Sequence, residues 1–154
     1  MAYSYRKATL ADIPAMQALV RPEIDSGVIL VRSDNEIATN IRSYRLAFDG
    51  EMLVGFVALH IHTPQLAETR SLVIRESHRG RQIGSDLIRL CVEEAAALGL
   101  EEVLALTYQS RFFEKLGFSE IPKESIPEHK IWADCIKCKH FPVCNEIALI
   151  KRLS

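Results

Sequence analysis

The chain has 154 residues, of which 48% are hydrophobic and 25% charged, and its formal net charge at pH 7 is −1. This length and composition are typical of one globular domain, and the near-zero net charge gives no basis for a nucleic-acid-binding surface. No apolar run is long enough to cross a bilayer and the N-terminus does not read as a signal peptide, so we expect a cytoplasmic protein without membrane contacts, whose four cysteines are reduced or metal-bound.

The first part of the chain predicts one strand, two helices and a hairpin. Residues 3–8 read as a strand, and apolar residues spaced three or four apart over residues 13–20 predict a helix. The run Ser33-Asp34-Asn35-Glu36 is a capping box that starts a second, short helix. Residues 44–48 and 52–61 predict two strands joined by an Asp-Gly turn, which is a strong hairpin signal.

The second part predicts three strands and two helices. Residues 66–74 read as a strand, and an apolar-periodic segment over residues 87–98 predicts a helix that ends at a glycine. A strand follows at residues 103–107, then a short helix at 111–116 capped by a serine, and a last strand at 146–153.

The segment Arg79-Gly80-Arg81-Gln82-Ile83-Gly84-Ser85 lies between a predicted strand and the predicted central helix. This order builds an anion site, because backbone N–H groups of the loop and the helix N-terminus converge and the macrodipole favours a pyrophosphate. Arg79 and Arg81 add positive charge, and the glycines let the backbone approach phosphates. The spacing is neither that of a P-loop nor that of a dinucleotide fingerprint. The alternative is an ordinary basic turn before an amphipathic helix.

The segment from Arg79 to Gly84 resembles the acetyl-CoA loop of the GNAT acetyltransferases, Gln/Arg-x-x-Gly-x-Gly/Ala. Gln82 stands where that family usually has its first glycine, and a non-glycine residue is tolerable there if its φ is negative. The run from Phe112 to Phe118 is similar to the family's second landmark, a short helix after the fifth strand. Together with the order of elements, this implies an α/β (α+β) GNAT fold over residues 1–154, with a central mixed, mostly antiparallel sheet flanked by helices.

The resemblance also implies acetyl-CoA as the co-substrate. In GNAT proteins the backbone of the fourth strand binds the amide of the pantetheine arm of CoA. This arm fills a gap between the fourth and fifth strands, which splay apart, and lies beside the short helix. By position, the cofactor-binding residues are Leu72, Val73, Ile74, Arg79, Gly80, Arg81, Gln82, Ile83, Gly84, Ser85 and Phe113. The side chains at 72–74 can at the same time belong to the core.

Acetyl transfer to an amine requires that the ammonium lose a proton and that a thiolate leave. Glu68, on the fourth strand, is the candidate general base, acting directly or through a water; the alternative is a solvated carboxylate at a strand start. Many GNAT enzymes place a leaving-group acid, a tyrosine, in the second landmark, where this chain has Phe113. Tyr108, at the end of the fifth strand, is a substitute, or no acid is needed because a CoA thiolate leaves readily.

Three stretches resemble the acetyltransferase domain of N-acetylglutamate synthases: Arg21-Pro22-Glu23, residues 27–33 and residues 67–73. By position, the resemblance implies that Arg32, Ser71 and Thr107 surround glutamate. Because glutamate carries two carboxylates, its recognition needs guanidinium or ammonium partners. The candidates for that role are Arg32, Arg70 and Lys130, and the alternative for each is a solvated basic side chain.

A polar insert at about residues 129–145 carries three cysteines, at 135, 138 and 144, and one histidine, at 140. The Cys-x-x-Cys spacing suits two thiolates on one tetrahedral Zn2+. The predicted structural zinc ligands are Cys135, Cys138, Cys144 and His140. Reduced loop cysteines or a Cys135/Cys138 redox pair are alternatives, whereas Cys91 lies on the apolar face of the central helix and is expected in the core.

These observations predict an N-acetyltransferase that transfers acetyl from acetyl-CoA to the α-amino group of an amino acid. The expected acceptor is L-glutamate, for arginine synthesis, and the expected partners are small molecules, with neither nucleic acid nor membrane; a homodimer stays open. One alternative is a GNAT enzyme that acetylates another small amine or a protein. Another is a non-catalytic acetyl-CoA-binding regulatory module, which the departures at Gln82 and Phe113 motivate.

Overall fold

A computed structural model describes residues 3–27, 31–122, 125 and 147–153. The predicted substrate ligand Lys130 and the predicted zinc ligands lie outside the described residues, as does the insert at 129–145 that contains them. Among the described helices, none is both long and apolar enough to cross a membrane.

The described chain forms seven strands and four α-helices. The strands are β1 (Ser4–Lys7), β2 (Tyr44–Asp49), β3 (Met52–Ile61), β4 (Leu66–Ile74), β5 (Glu102–Thr107), β6 (Ser119–Ile121) and β7 (Ile147–Arg152). The helices are α1 (Ile13–Asp25), α2 (Asp34–Thr39), α3 (Ile83–Leu98) and α4 (Ser110–Lys115). The sequence missed β6, and Ser110 is the first residue of α4 rather than its cap, a position that Gln109 occupies.

Local hydrogen bonds explain where the helices begin and end. The Ser33 Oγ accepts from the Glu36 N–H at 3.1 Å while the Glu36 carboxylate accepts from the Ser33 N–H at 3.0 Å, so the predicted capping box of α2 is confirmed. At the other end of the domain, α3 stops at Gly99, whose φ of +90° is readily adopted only by glycine.

One sheet organises the domain, in the strand order β1-β2-β3-β4-β5-β7-β6. All neighbouring strands are antiparallel except β4 and β5, which are parallel, as predicted for a mixed, mostly antiparallel sheet. The β4–β5 pairing runs only from Leu66–Glu102 to Thr69–Ala105, while β4 continues beside β3 as far as Ile74. The two parallel strands therefore diverge beyond Thr69, and we call the resulting gap the fork.

Helices cover both faces of the sheet. On one face, α1 and α2 pack on a buried cluster that includes Met16, Ile37, Leu46, Phe56 and Val73. On the other face, α3 packs on a cluster that includes Val57, Leu87, Ile88, Cys91, Val103 and Phe113. Cys91 is 1% exposed, so its predicted place in the core is confirmed.

Candidate functional site

The strand β4 carries a bulge where it leaves β5. Phe56 pairs with Val73 and Ala58 with Arg70, so two β4 residues stand opposite one β3 residue. Within this bulge Ser71 has a φ of +57°, an uncommon and strained conformation for a residue other than glycine. Such strain often accompanies functional sites, and here it lies two residues beyond Thr69, the last β4 residue that pairs with β5.

Beyond β4, the chain turns into the N-terminus of α3. At the start of α3, the Asp86 N–H donates to the Gln82 carbonyl at 3.0 Å. By helix geometry, the N–H groups of Ile83, Gly84 and Ser85 therefore point out of the helix end, where an anion can accept from them. The predicted order of strand, loop and helix is thus present in the fold, and its role in binding an anion stays a prediction.

Two loop residues have conformations that the sequence did not reveal. Gln82 has a φ of +67°. We expected a residue other than glycine to be tolerated there only if its φ were negative, and this condition is not met. Gly84 is buried, and a Cβ at that position would lie 3.3 Å from Phe112 Cζ and 3.8 Å from Ile74 Cγ1. Gly84 therefore allows α3 to pack closely against α4 and the end of β4.

The two arginines of the loop are held by different partners. The Arg79 Nη2 donates to the Glu23 carboxylate of α1 at 2.6 Å, and its Nε donates to the Ile74 carbonyl at 3.3 Å. Arg81 is exposed, and its Nη1 donates to the Tyr3 hydroxyl at 3.3 Å. The ion pair of Arg79 with Glu23 thus links the loop to α1, whereas Arg81 lies at the surface and contacts the Tyr3 hydroxyl.

A small cleft opens on the α1/α2 face of the sheet, next to the bulge. Three of the predicted substrate residues meet in its wall: Arg32, Arg70 and Ser71. The other lining residues are Glu36, Asn40, Ser43, Tyr44, Ala58 and His60. Burial raises the pKa of Tyr44, and the charges of Arg32 and Arg70 oppose that rise.

Glu68 lies beside this cleft and is buried, so the alternative of a solvated carboxylate is wrong. The His62 Nε2 lies 2.7 Å from Glu68 Oε1, and the Arg70 Nε donates to the same oxygen at 3.0 Å. Burial by itself raises the pKa of Glu68, but the hydrogen bond from His62 and the charge of Arg70 outweigh burial and lower that pKa. Glu68 is therefore an ionised carboxylate at neutral pH.

The remaining predicted residues lie around the fork rather than in the cleft. The Thr107 Oγ1, at the end of β5, accepts from the Gln109 N–H at 2.8 Å. Tyr108 is 39% exposed, and Phe113 is 5% exposed in the α3-side core. Leu72 and Ile74 pack against that same core, whereas Val73 packs on the opposite side of the sheet.

Comparison with known proteins decides the family. The model of the acetyltransferase (GNAT) family matches residues 15–118. An uncharacterized N-acetyltransferase of Chlorobaculum tepidum is 39% identical over 152 residues, which cover 96% of this chain and 95% of that protein. The chain belongs to the GNAT family of acetyltransferases.

Within the GNAT family, the chain resembles enzymes that are much longer. An amino-acid acetyltransferase of Pasteurella multocida is 26% identical over 127 residues, which cover 81% of this chain and 29% of that protein. The solved N-acetylglutamate synthase of Neisseria gonorrhoeae, complexed with coenzyme A and N-acetyl-glutamate, superposes with a TM-score of 0.88 at 23% identity, covering 100% of this chain and 36% of that one. The predicted GNAT fold and its resemblance to the N-acetylglutamate synthase domain are thereby confirmed.

Two residues beside the candidate site were not predicted from the sequence. His62 contacts Glu68 across the β3–β4 turn, where the His62 N–H donates to the Leu66 carbonyl at 2.9 Å. His60 and His62 are two residues apart at the end of β3, so an extended chain places both on the same face. That spacing is the sequence signal that could have indicated His62. The second is Thr69, whose side-chain oxygen is buried without a hydrogen-bond partner among the residues that the structure describes. No sequence pattern marks such an atom.

Within the described part of the chain, no group of three or more His, Cys, Asp or Glu side chains is arranged to hold a metal ion. The three cysteines and the histidine of the insert lie outside the described residues. The structural zinc site therefore stays a prediction.

Proposed function

We propose that this GNAT domain is an amino-acid N-acetyltransferase that uses acetyl-CoA and takes L-glutamate as its acceptor. The observation that carries this proposal is the convergence of Arg32 and Arg70 in a cleft that meets the fork at Ser71. Two guanidinium groups in one cleft suit an acceptor with two carboxylates. The resemblance to an amino-acid acetyltransferase and to N-acetylglutamate synthase supports the same choice.

The donor would lie with its pyrophosphate at the N-terminus of α3. The N–H groups of Ile83, Gly84 and Ser85 in the first turn of α3, together with Arg79 and Arg81, would supply the donors and charge for that group. Its pantetheine arm would run along residues 70–74 of β4, whose edge toward β5 is open beyond Thr69. The open edge offers backbone groups to the arm as an adjoining strand would.

The acceptor's α-ammonium must lose one proton before its nitrogen attacks the thioester carbonyl. Glu68 takes that proton, directly or through a water, because it is ionised and lies beside the cleft. Because its pKa is lowered, Glu68 does not keep the proton, which passes on to water. The His62 Nε2–H donates to Glu68 Oε1 at 2.7 Å and holds the carboxylate in place. The amine and thioester react directly in a ternary complex, so no acyl-enzyme forms.

The product would be N-acetyl-L-glutamate, which connects the proposed reaction with arginine synthesis. The test is steady-state acetylation of a panel of amino acids, small amines and a protein substrate. Glutamate should have the highest kcat/KM, and glutamine is the matched control because it keeps the size of glutamate but lacks its second carboxylate. Equal kcat/KM values for glutamate and glutamine would refute the proposed specificity for glutamate. Binding of coenzyme A without acetylation of any amine would refute the proposed catalytic activity.

A further inference from the structure

Thr69 carries a buried hydroxyl that has no hydrogen-bond partner in the described part of the chain. The residue is 6% exposed, so bulk water does not compensate for the missing partner. Buried polar atoms in native proteins are nearly always hydrogen-bonded, and an orphan is a reason to look for an absent ligand. The only other such atom in the described chain is Arg45 Nε, and that guanidinium is already paired through Nη2 with Glu94.

The position of Thr69 relates this atom to the fork. Thr69 and Ala105 form the last pair of β4 with β5, so Thr69 stands at the closed end of the fork. Because side chains alternate along a strand, Thr69 faces away from Glu68 and Arg70 and toward the α3 side. Ala67, Ala105 and Phe113 all belong to the core cluster on that side.

The proposed donor would bring its reactive end to this place. Its phosphates lie at the N-terminus of α3, which follows the end of β4, and its arm runs back along residues 74–70 toward the closed end. Five residues of strand edge provide about 16 Å for that arm. The thioester therefore arrives next to the last β4–β5 pair, where Thr69 is located.

We propose that the Thr69 hydroxyl donates a hydrogen bond to the sulfur of acetyl-CoA as the thiolate departs. This inference rests on the acetyl-transfer function proposed above. As the C–N bond forms, the C–S bond breaks and its electron pair moves to sulfur. The hydroxyl keeps its proton and stabilises the new charge; sulfur then takes a proton from water, and the amine's proton leaves through Glu68. Phe113, on the same side of the sheet, has no hydroxyl to do this.

The test uses Thr69→Val, which keeps the shape of the side chain and removes the hydroxyl. In the ligand-free protein its unfolding temperature should be unchanged or higher, because an unpaired buried hydroxyl is removed. Its kcat should nevertheless fall about ten- to hundredfold, as expected for a lost hydrogen bond to a charged group, and Thr69→Ser should recover most of it. For comparison, Thr107→Val should lower the unfolding temperature, because the Thr107 Oγ1 has a partner, the Gln109 N–H.

A binding measurement separates this inference from the proposed function. Calorimetry with CoA and with desulfo-CoA measures the contribution of the sulfur atom to binding without any turnover. The difference between the two dissociation constants should be smaller in Thr69→Val than in the wild type. If the wild-type protein acetylates no amine, the proposed function fails while calorimetry still tests the Thr69 contact. The inference is overturned if Thr69→Val lowers the unfolding temperature, or if it leaves kcat and the CoA preference as they are in the wild type.

Discussion

Removal of the Arg32 guanidinium is the most direct test of the proposed acceptor cleft. Arg32 lines the cleft together with Arg70 and Ser71. Its backbone carbonyl accepts from the Gln17 Nε2 at 2.9 Å, and this bond does not involve the side chain. The variant Arg32→Ala should therefore lose the charge in the cleft while the segment that carries it stays attached to α1.

The magnitude follows from the kind of contact that is lost. A hydrogen bond to a charged group contributes about 1.5–3 kcal/mol, which corresponds to a rise of about ten- to hundredfold in the KM for glutamate. Arg32→Lys should fall between the wild type and Arg32→Ala, because an ammonium keeps the charge but cannot bind a carboxylate through two parallel N–H groups. The affinity for acetyl-CoA should not change.

Steady-state kinetics with glutamate and calorimetry with CoA measure these two expectations separately. Arg42→Ala is the matched control, since Arg42 is an exposed arginine outside the residues that line the cleft. An increase in the KM for acetyl-CoA alone would assign Arg32 to the donor instead. If both constants match those of the Arg42→Ala control, the interpretation of Arg32 as a substrate ligand is refuted.

Three further predictions concern the loop and the insert. Gly84→Val should weaken acetyl-CoA binding at least tenfold, because its side chain would press on Phe112 and block the approach to the helix end; an unchanged Kd by calorimetry contradicts this. Gln82→Gly should leave the free energy of unfolding unchanged or raise it by up to about 1 kcal/mol in urea denaturation, since relief of the positive φ is offset by a more flexible unfolded chain. A clear loss of stability would mean that the glutamine side chain is itself needed. Elemental analysis of untagged protein should find one zinc per chain, whereas no metal and freely titratable thiols would rule out the site formed by Cys135, Cys138, Cys144 and His140.

Local signals in the sequence predicted most of the fold. The bounds of β4, Leu66–Ile74, were predicted correctly, and the Ser33 capping box predicted the start of α2. Such signals depend on neighbours a few residues away, and so they are visible in a single sequence. The three-residue strand β6 is too short to display an alternation, which explains why it was missed.

Several features of the site could not be predicted, because they depend on how strands, turns and loops are arranged in space. The burial and ionisation of Glu68 depend on His62 across a turn and on Arg70 beyond the next residue. The unpaired hydroxyl of Thr69 becomes apparent only when the end of the β4–β5 pairing is known. The positive φ of Gln82 is set by how the loop joins β4 to α3, and its residue type indicated the opposite.

The bulge in β4 explains how one strand serves both the cleft and the core. In a regular strand, residues three positions apart face opposite sides of the sheet. Here Arg70 lines the cleft on the α1/α2 side, and Val73, three residues later, is buried in the cluster on that same side. Leu72 and Ile74 pack instead under α3. The extra residue at Ser71–Leu72 changes the alternation, so that Glu68 and Arg70 lie on the side of the cleft while the end of β4 still buries its apolar side chains. The strained φ of Ser71 is the local cost of joining these two registers at the place where the fork opens.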